Sequence, residues 1–239
     1  MQTQIYVGLS GQLALRRQLD VVANNIANMN TAGFRAEKVL FDAHMEKAQE
    51  GRSVSFVVDR NSYTDMRAGK MERTGNPLDV AINGDAWLQV GTPEGLRYTR
   101  DGRLNLDADG RLVTMDGNPV LDNGGGEITI PQDAARVEIL KDGTIGDGER
   151  VFGQIGRVRP ADNQTMTREA SGLYSAPGQP EAAEEAEFQQ GMIEGSNVQP
   201  VLAMTELVSI SRAYEQTKTM VEGGDETLRG AIRTLGRID

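Results

Sequence analysis

Apolar positions recur every seven residues at both ends of the chain. Near the start, Ile5, Gln12, Leu19 and Ile26 form one row, Gly8, Leu15 and Val22 a second, and Leu9, Arg16 and Ala23 a third. On a 3.6-residue helix these rows merge into one broad face, mostly apolar but interrupted by Gln12 and Arg16, with Asn24, Asn25 and Asn28 on the opposite side. The spacing predicts a helix over 1–30 that fades near Asn28–Gly33, where Asn and Gly tolerate the left-handed backbone that ends helices. Near the other end, Leu207, Tyr214, Val221, Leu228 and Leu235 predict a helix within 196–239, while the companion row of Met204, Ser211, Lys218, Asp225 and Ile232 is apolar only at its two ends. Ser196 or Asn197 is expected to cap it, with Pro200 in its first turn and Gly223-Gly224 weakening its centre.

The middle follows another rule. All eight prolines lie from Pro77 to Pro200, and glycine crowds the stretch between Gly69 and Gly156. Apolar residues come in short runs between turn dipeptides: Asn83-Gly84, read as a type I′ hairpin between Val80–Ile82 and Trp87–Val90, then Asp101-Gly102, Asp109-Gly110, Asp116-Gly117, Asn123-Gly124 and Asp142-Gly143. Residues 70–178 therefore read as an all-β domain with Leu104, Leu106, Leu112, Val113, Val120, Leu121, Ile128 and Ile130 inside. Residues 179–195, with Glu181, Glu184, Glu185 and Glu187, read as an acidic connector or solvated helix. The expected class is α+β: two terminal helices paired as a discontinuous, coiled-coil-like domain, with an all-β domain inserted between them.

Two amphipathic helices packed only on each other leave their flanks exposed, and propensity alone stabilises such helices weakly. A polymer with helices inside and β domains outside would bury what one copy cannot. Patterning alone is met equally well by an ordinary α+β domain with two packed helices.

Composition narrows the chemistry. The net charge of −10 argues against nucleic-acid binding, which draws on a basic face. Without cysteine there are no disulfides or thiolate sites, and a single histidine, His44, leaves no HExxH pair. His44 is expected on a partly exposed linker or helix. No apolar run approaches a membrane span of about 20 residues, and Arg16, Arg17 and Asp20 do not suit a secretory leader. Asn105, Asp107, Asp109, Gly110 and Asp116 echo a calcium loop, but their strand-like flanks and the Asp at the last position favour hairpin turns. Asp65, Asp79, Asp85 and Asp101 are the carboxylates from which a glycosidase-like pair would be drawn. Gly8-Leu9-Ser10-Gly11 is no nucleophile elbow, Gly124-Gly125-Gly126 lacks the Lys of a phosphate loop, and Trp87 reads as core. No catalytic, metal or cofactor residue is assigned.

Four segments carry a resemblance. Ala23-Asn24-Asn25-Ile26-Ala27-Asn28-Met29-Asn30-Thr31-Ala32-Gly33-Phe34 resembles a signature of the bacterial flagellar rod and hook family. So do Thr74–Ile82 with Gly84, Tyr98–Gly102 followed by Leu106–Val113, and Gly195-Ser196-Asn197-Val198 with Arg212-Ala213-Tyr214-Glu215. A β domain with little beyond it, and the opening Ile5–Gly11, are more similar to the family's proximal rod members than to its distal ones; Arg16-Arg17 and Met29 depart from the pattern. The resemblance implies a non-enzymatic axial subunit of the basal-body rod, exported by the flagellar type III apparatus without a cleaved signal peptide. Its implied partners are copies of itself and other proximal and distal rod proteins, with no nucleic acid and no membrane insertion. It also makes 31–69 a linker that touches neighbouring subunits. The residues marked for assembly, by its motifs and by the helix faces together, are Ile5, Leu9, Leu19, Asn24, Asn25, Ile26, Asn28, Asn30, Gly33, Phe34, Asn197, Leu207, Tyr214, Val221 and Leu228. From another class, a secreted β-domain binding protein or hydrolase with a helical dimerisation module is the alternative.

Overall fold

Breakers set the helix boundaries. A computed structural model describes residues 2–47, 53–134, 136–161 and 166–235. Helix α1 spans Gln2–Ala27 and stops before the Asn-rich segment, where Gly33 takes φ +67°. Helix α2 spans Pro200–Leu235 and accommodates Gly223-Gly224 within it. Pro200 opens α2, where its missing N–H is one that no intrahelical acceptor would have met. Asn197, expected as a cap, lies three residues before α2, and its side chain bonds Ala36 and Arg67, described below.

The chain divides into two compact units, one comprising Met1–Ala27, Glu37–Asp65 and Val198–Asp239, the other Asn28–Ala36 and Met66–Asn197. The first holds α1, α2 and an antiparallel hairpin of β1 (Glu37–Lys47) and β2 (Ser53–Thr64), in register His44 to Phe56, with a bulge at Leu40/Phe41. The stretch 31–69 thus holds a hairpin, and His44 lies on a strand rather than a helix. Val54, Phe56 and Val58 alternating with Ser53 and Ser55 are the period-two signal for it. Within this helical unit α1 meets α2: a Cβ on Gly8 would lie 2.6 Å from Cγ2 of Val221. Burial is sparse, with Val21 and Val22 on α1 and Ile210 on α2 the buried apolar residues among those described.

The β unit runs through β3 (Met71–Arg73), β4 (Val80–Asn83), β5 (Leu88–Thr92), β6 (Gly95–Thr99), β7 (Leu104–Leu106) and β8 (Leu112–Thr114). It continues with β9 (Glu138–Ile139), β10 (Thr144–Gly146), β11 (Val151–Gln154), β12 (Val158–Arg159), β13 (Thr167–Arg168) and β14 (Tyr174–Ser175). The last three are β15 (Glu181–Ala182), β16 (Glu187–Gln190) and β17 (Met192–Glu194). Residues 179–195 therefore hold three short strands in place of a helix. Strand β16 pairs with β4 and β17 with β3, so the end of the unit closes on its beginning. Glu187 on β16 is exposed, while Phe188 on β16 and Glu194 on β17 are buried.

The Asn83-Gly84 hairpin does not form. Strand β4 pairs with β16 and β5 with β6, so long-range pairing outweighs the local turn signal. The hairpin of β7 and β8 does form, around Asp107–Gly110. There Asp107 Oδ1 accepts the N–H groups of Asp109 and Arg111 (both 2.9 Å) and Oδ2 accepts Arg111 Nε (2.7 Å), so the turn uses the would-be calcium ligand. Leu104, Leu112, Val113, Val120, Leu121, Ile128 and Ile130 are buried as expected, and Leu106 partly so. A second cluster gathers Trp87, Tyr98, Val158, Met166 and Tyr174, with Trp87 and Tyr174 edge to face at 5.0 Å.

Candidate assembly site

The residues marked for assembly divide between the two units. On the helices, Leu9 is exposed, and Leu19, Ile26, Leu207, Tyr214 and Val221 are half-buried. Ile5 and Leu228 lie on α1 and α2, with side chains outside the described set. Beyond the expected seam, Leu13, Val201, Leu202, Met204, Val208 and Met220 are exposed, Val201 at 77% and Met220 at 74%. Val201, Met204 and Val208 are spaced i, i+3, i+7, so the first turns of α2 carry a second apolar stripe besides the side holding Ile210.

Asn25 departs from the expected outward orientation. It is buried, its Nδ2 donates to Glu37 O (2.8 Å) and its Oδ1 accepts Glu37 N–H (2.9 Å), so its amide is spent on the entry to β1. Asn24 and Asn30 are exposed. Asn28 Oδ1 accepts Thr31 Oγ1–H (3.2 Å), a local turn bond.

The rest of the signature belongs to the β unit and is inserted into it. Gly33 N donates to Glu194 O (2.7 Å), and a Cβ there would lie 2.4 Å from the carbonyl carbon of Arg100, so both its φ and its packing require glycine. Phe34 is buried under the Arg168 guanidinium, 3.9 Å from its ring centroid. Arg35 Nη1 reaches Glu194 Oε1 at 2.5 Å and also donates to Arg67 O. Glu194 Oε1 accepts Gly69 N–H (2.7 Å), and Oε2 faces Arg100 Nη1 (3.2 Å). Arg100 further donates to Ile82 O (3.1 Å) and Gly84 O (2.7 Å) and lies over Trp87, 5.5 Å from its ring. Asn197 completes the node: its Oδ1 accepts Ala36 N–H (2.7 Å), its Nδ2 donates to Arg67 O (2.8 Å), and its own N–H donates to Phe34 O (3.2 Å).

This node is deeply buried, with Arg35 and Glu194 at 1% exposure. Two guanidiniums share one carboxylate. Burial pushes the Arg100 pKa down to about 10, Glu194 pulls it back up and Arg35 adds to the fall; the group remains a cation near neutral pH. The carboxylates weighed for hydrolysis lie elsewhere in the ion-pairing scheme. Asp65 pairs with Lys38 (3.2 Å) in the helical unit, while in the β unit Asp79 accepts Asn76 Nδ2–H (2.9 Å), Asp85 pairs with Arg159 (3.3 Å) and Asp101 with Arg103 (2.6 Å). Each is engaged by a cation or an amide.

Three family profiles match the chain: flagella basal body rod protein over 5–35, flagellar hook protein FlgE/F/G D1 domain over 81–146, and flagellar basal body rod FlgEFG protein C-terminal over 189–234. The FlgF basal-body rod protein of Caulobacter vibrioides is 43% identical over 245 residues, covering all of both chains. The chain belongs to the flagellar basal-body rod protein family. FlgF of Mesorhizobium japonicum is 38% identical over 239 residues (99% of each chain), and FlgG of Bacillus subtilis 32% over 260 residues (97% of this chain, 98% of the other).

Arg35, Arg100 and Glu194 fall one in each of the three rod-family segments. Sequence patterning singles out none of them, although each abuts a motif: Arg35 follows Gly33-Phe34, Arg100 lies inside Tyr98–Gly102, and Glu194 precedes Gly195–Val198. A charged residue next to a turn signature reads as solvated, and only the pairing of β17 with β3 places Glu194 inside.

Proposed function

We propose that this chain, a structural subunit of the flagellar basal-body rod, polymerises through α1 and α2 into a hollow, torque-transmitting shaft. The helices pair in coiled-coil fashion in the tubular core and the β unit adds outer contacts. The observation that carries this reading is the apolar surface left open on both helices, Leu9 and Leu13 on α1 and Val201, Leu202, Met204, Val208 and Met220 on α2. A protein that worked as a monomer would gain from covering such a stripe, and neighbouring copies or related rod subunits supply the cover. Greater identity to the Caulobacter FlgF than to the Bacillus FlgG supports the proximal rather than the distal branch. Export by the flagellar type III apparatus, a place in the periplasm-spanning rod, assembly with other rod proteins and the absence of an enzymatic role follow from the same reading. Among the described residues no helix is long and apolar enough to cross a membrane.

The test substitutes the second stripe: Val201→Ser, Met204→Ser and Val208→Ser together, expressed in place of the wild-type chain. Recovery of the protein in isolated basal bodies should collapse while the thermal transition of the β unit stays at its wild-type temperature. Normal recovery and normal swimming would overturn the reading.

A further inference from the structure

We propose that Glu194 is a positioning residue for assembly: through Arg35, Gly69 and Arg100, and with Asn197 beside it, it fixes the mutual placement of the segments by which the chain enters and leaves the β unit. The inference rests on the reading that the terminal helices polymerise.

The chain crosses between units at Ala27/Asn28, Ala36/Glu37, Asp65/Met66 and Asn197/Val198. Residues beside three of these four crossings are bound to one another inside the β unit. Asn197 ties Ala36 to Arg67, Arg35 ties to Arg67 and Glu194, and Glu194 ties to Gly69. Close backbone passage adds to the joint: Gly195 N donates to Lys70 O (2.8 Å), and a Cβ on Gly69 would lie 1.9 Å from Gly195 O. One buried carboxylate thus holds three segments that are far apart in sequence, and removing its charge loosens all three together.

Stability alone does not account for such a joint. A well-packed apolar cluster of similar volume often serves stability as well as a buried ion pair or better. Here two cations share one anion, and Nε of Arg35 and of Arg100 are buried with no acceptor among the described residues. The β unit already has an apolar core in Val80, Leu88, Leu112, Val120, Ile145 and Ile155. Apolar packing is non-directional, whereas paired guanidinium, carboxylate and amide groups fix relative position and angle. In a helical polymer every subunit repeats the same geometry, so play at the exits of the β unit would accumulate along the shaft.

The full-length chain tests this in two variants. In Glu194→Gln, hydrogen exchange at the amides of Gly33, Gly69 and Asn197 should accelerate about tenfold or more, with the amides of Leu112, Val120 and Ile130 near their wild-type rates. Recovery in basal bodies should fall about tenfold, in proportion to that local loosening. The second variant replaces the network by apolar residues, Arg35→Met, Arg100→Met and Glu194→Leu. It should melt close to wild type yet remain poorly incorporated. Restored incorporation in the second variant would make the network a stability element and overturn the proposal. Normal incorporation of Glu194→Gln despite fast exchange at the three amides would overturn it too. Should Glu194→Gln lose protection throughout the β unit, the apolar variant decides the same question. Because the wild-type chain is followed alongside, its own failure to incorporate would count against polymerisation itself rather than against the role of Glu194.

Discussion

The two units of this chain solve the problem of apolar surface differently. In the β unit Val80, Leu88, Leu112, Val120, Ile145 and Ile155 are wholly buried, and the last strands close on the first. In the helical unit, helices of 26 and 36 residues leave Leu13, Val201, Leu202 and Met220 open to solvent. On the proposed reading, one fold is finished within the monomer and the other is left for partners to finish. Stability and assembly would then reside in different parts of the molecule, and substitutions in the two parts should give different phenotypes.

The largest expected contrast is between two leucines. Leu112→Ala removes a wholly buried side chain from the β core and should cost about 2–5 kcal/mol. Leu13→Ala trims an exposed side chain and should change monomer stability by no more than about 0.5 kcal/mol. Trp87, the single tryptophan, sits in the β unit and reports its urea transition by fluorescence. Equal shifts of that transition by the two substitutions would break the comparison.

A glycine pair should differ even in sign. Gly33→Ala forces a Cβ against the Arg100 backbone at a left-handed φ and should destabilise the β unit by about 1–3 kcal/mol. Gly11 lies within α1, and a Cβ there would meet nothing within 4 Å, so Gly11→Ala should raise helix stability by about 0.5–1 kcal/mol. Thermal melts of the two variants followed at 222 nm make the check.

The terminal helices were legible because a seven-residue recurrence such as Leu207, Tyr214 and Val221 is local, and the β core was legible because Leu112, Val120, Ile128 and Ile130 alternate with turn dipeptides. What misled was pairing over long distances. Asn83-Gly84 is a sound hairpin signal, but β16 claims β4. Glu181, Glu184, Glu185 and Glu187 are exposed as they read, but only the pairing with β3 and β4 shows that the stretch holds strands and that Glu194 turns inward. The family signature was legible as a string of letters, yet the division of its residues between the two units was not. Asn25 serves the strand entry, Gly33 and Phe34 plug the β unit, and the buried charges beside them carry no pattern of their own.

The smallest expected effect concerns the turns of the β unit. Backbone N–H and side-chain donors of Arg111 hold the Asp107 carboxyl below its usual range, Thr144 does the same for Asp142, and Arg150 for Asp147. In each case the folded pKa is the lower one, so between the two values the unfolded chain binds more protons and stability rises with pH. The contribution is complete above the ordinary carboxylate range of about 4 and is lost as pH falls through the depressed folded values. Asp142 is exposed and Asp107 and Asp147 lie partly covered near the surface, so solvent screening keeps the effect modest. Melts of the Trp87 signal should therefore be flat from neutral pH to about pH 5 and decline below about pH 4. In Asp107→Asn with Asp147→Asn, the amide oxygens still accept the same backbone N–H groups but carry no titrating proton, so the decline should become shallower. An unchanged slope would mean that the acid sensitivity of the β unit arises from other carboxylates, and that its turns hold by backbone geometry rather than by charge.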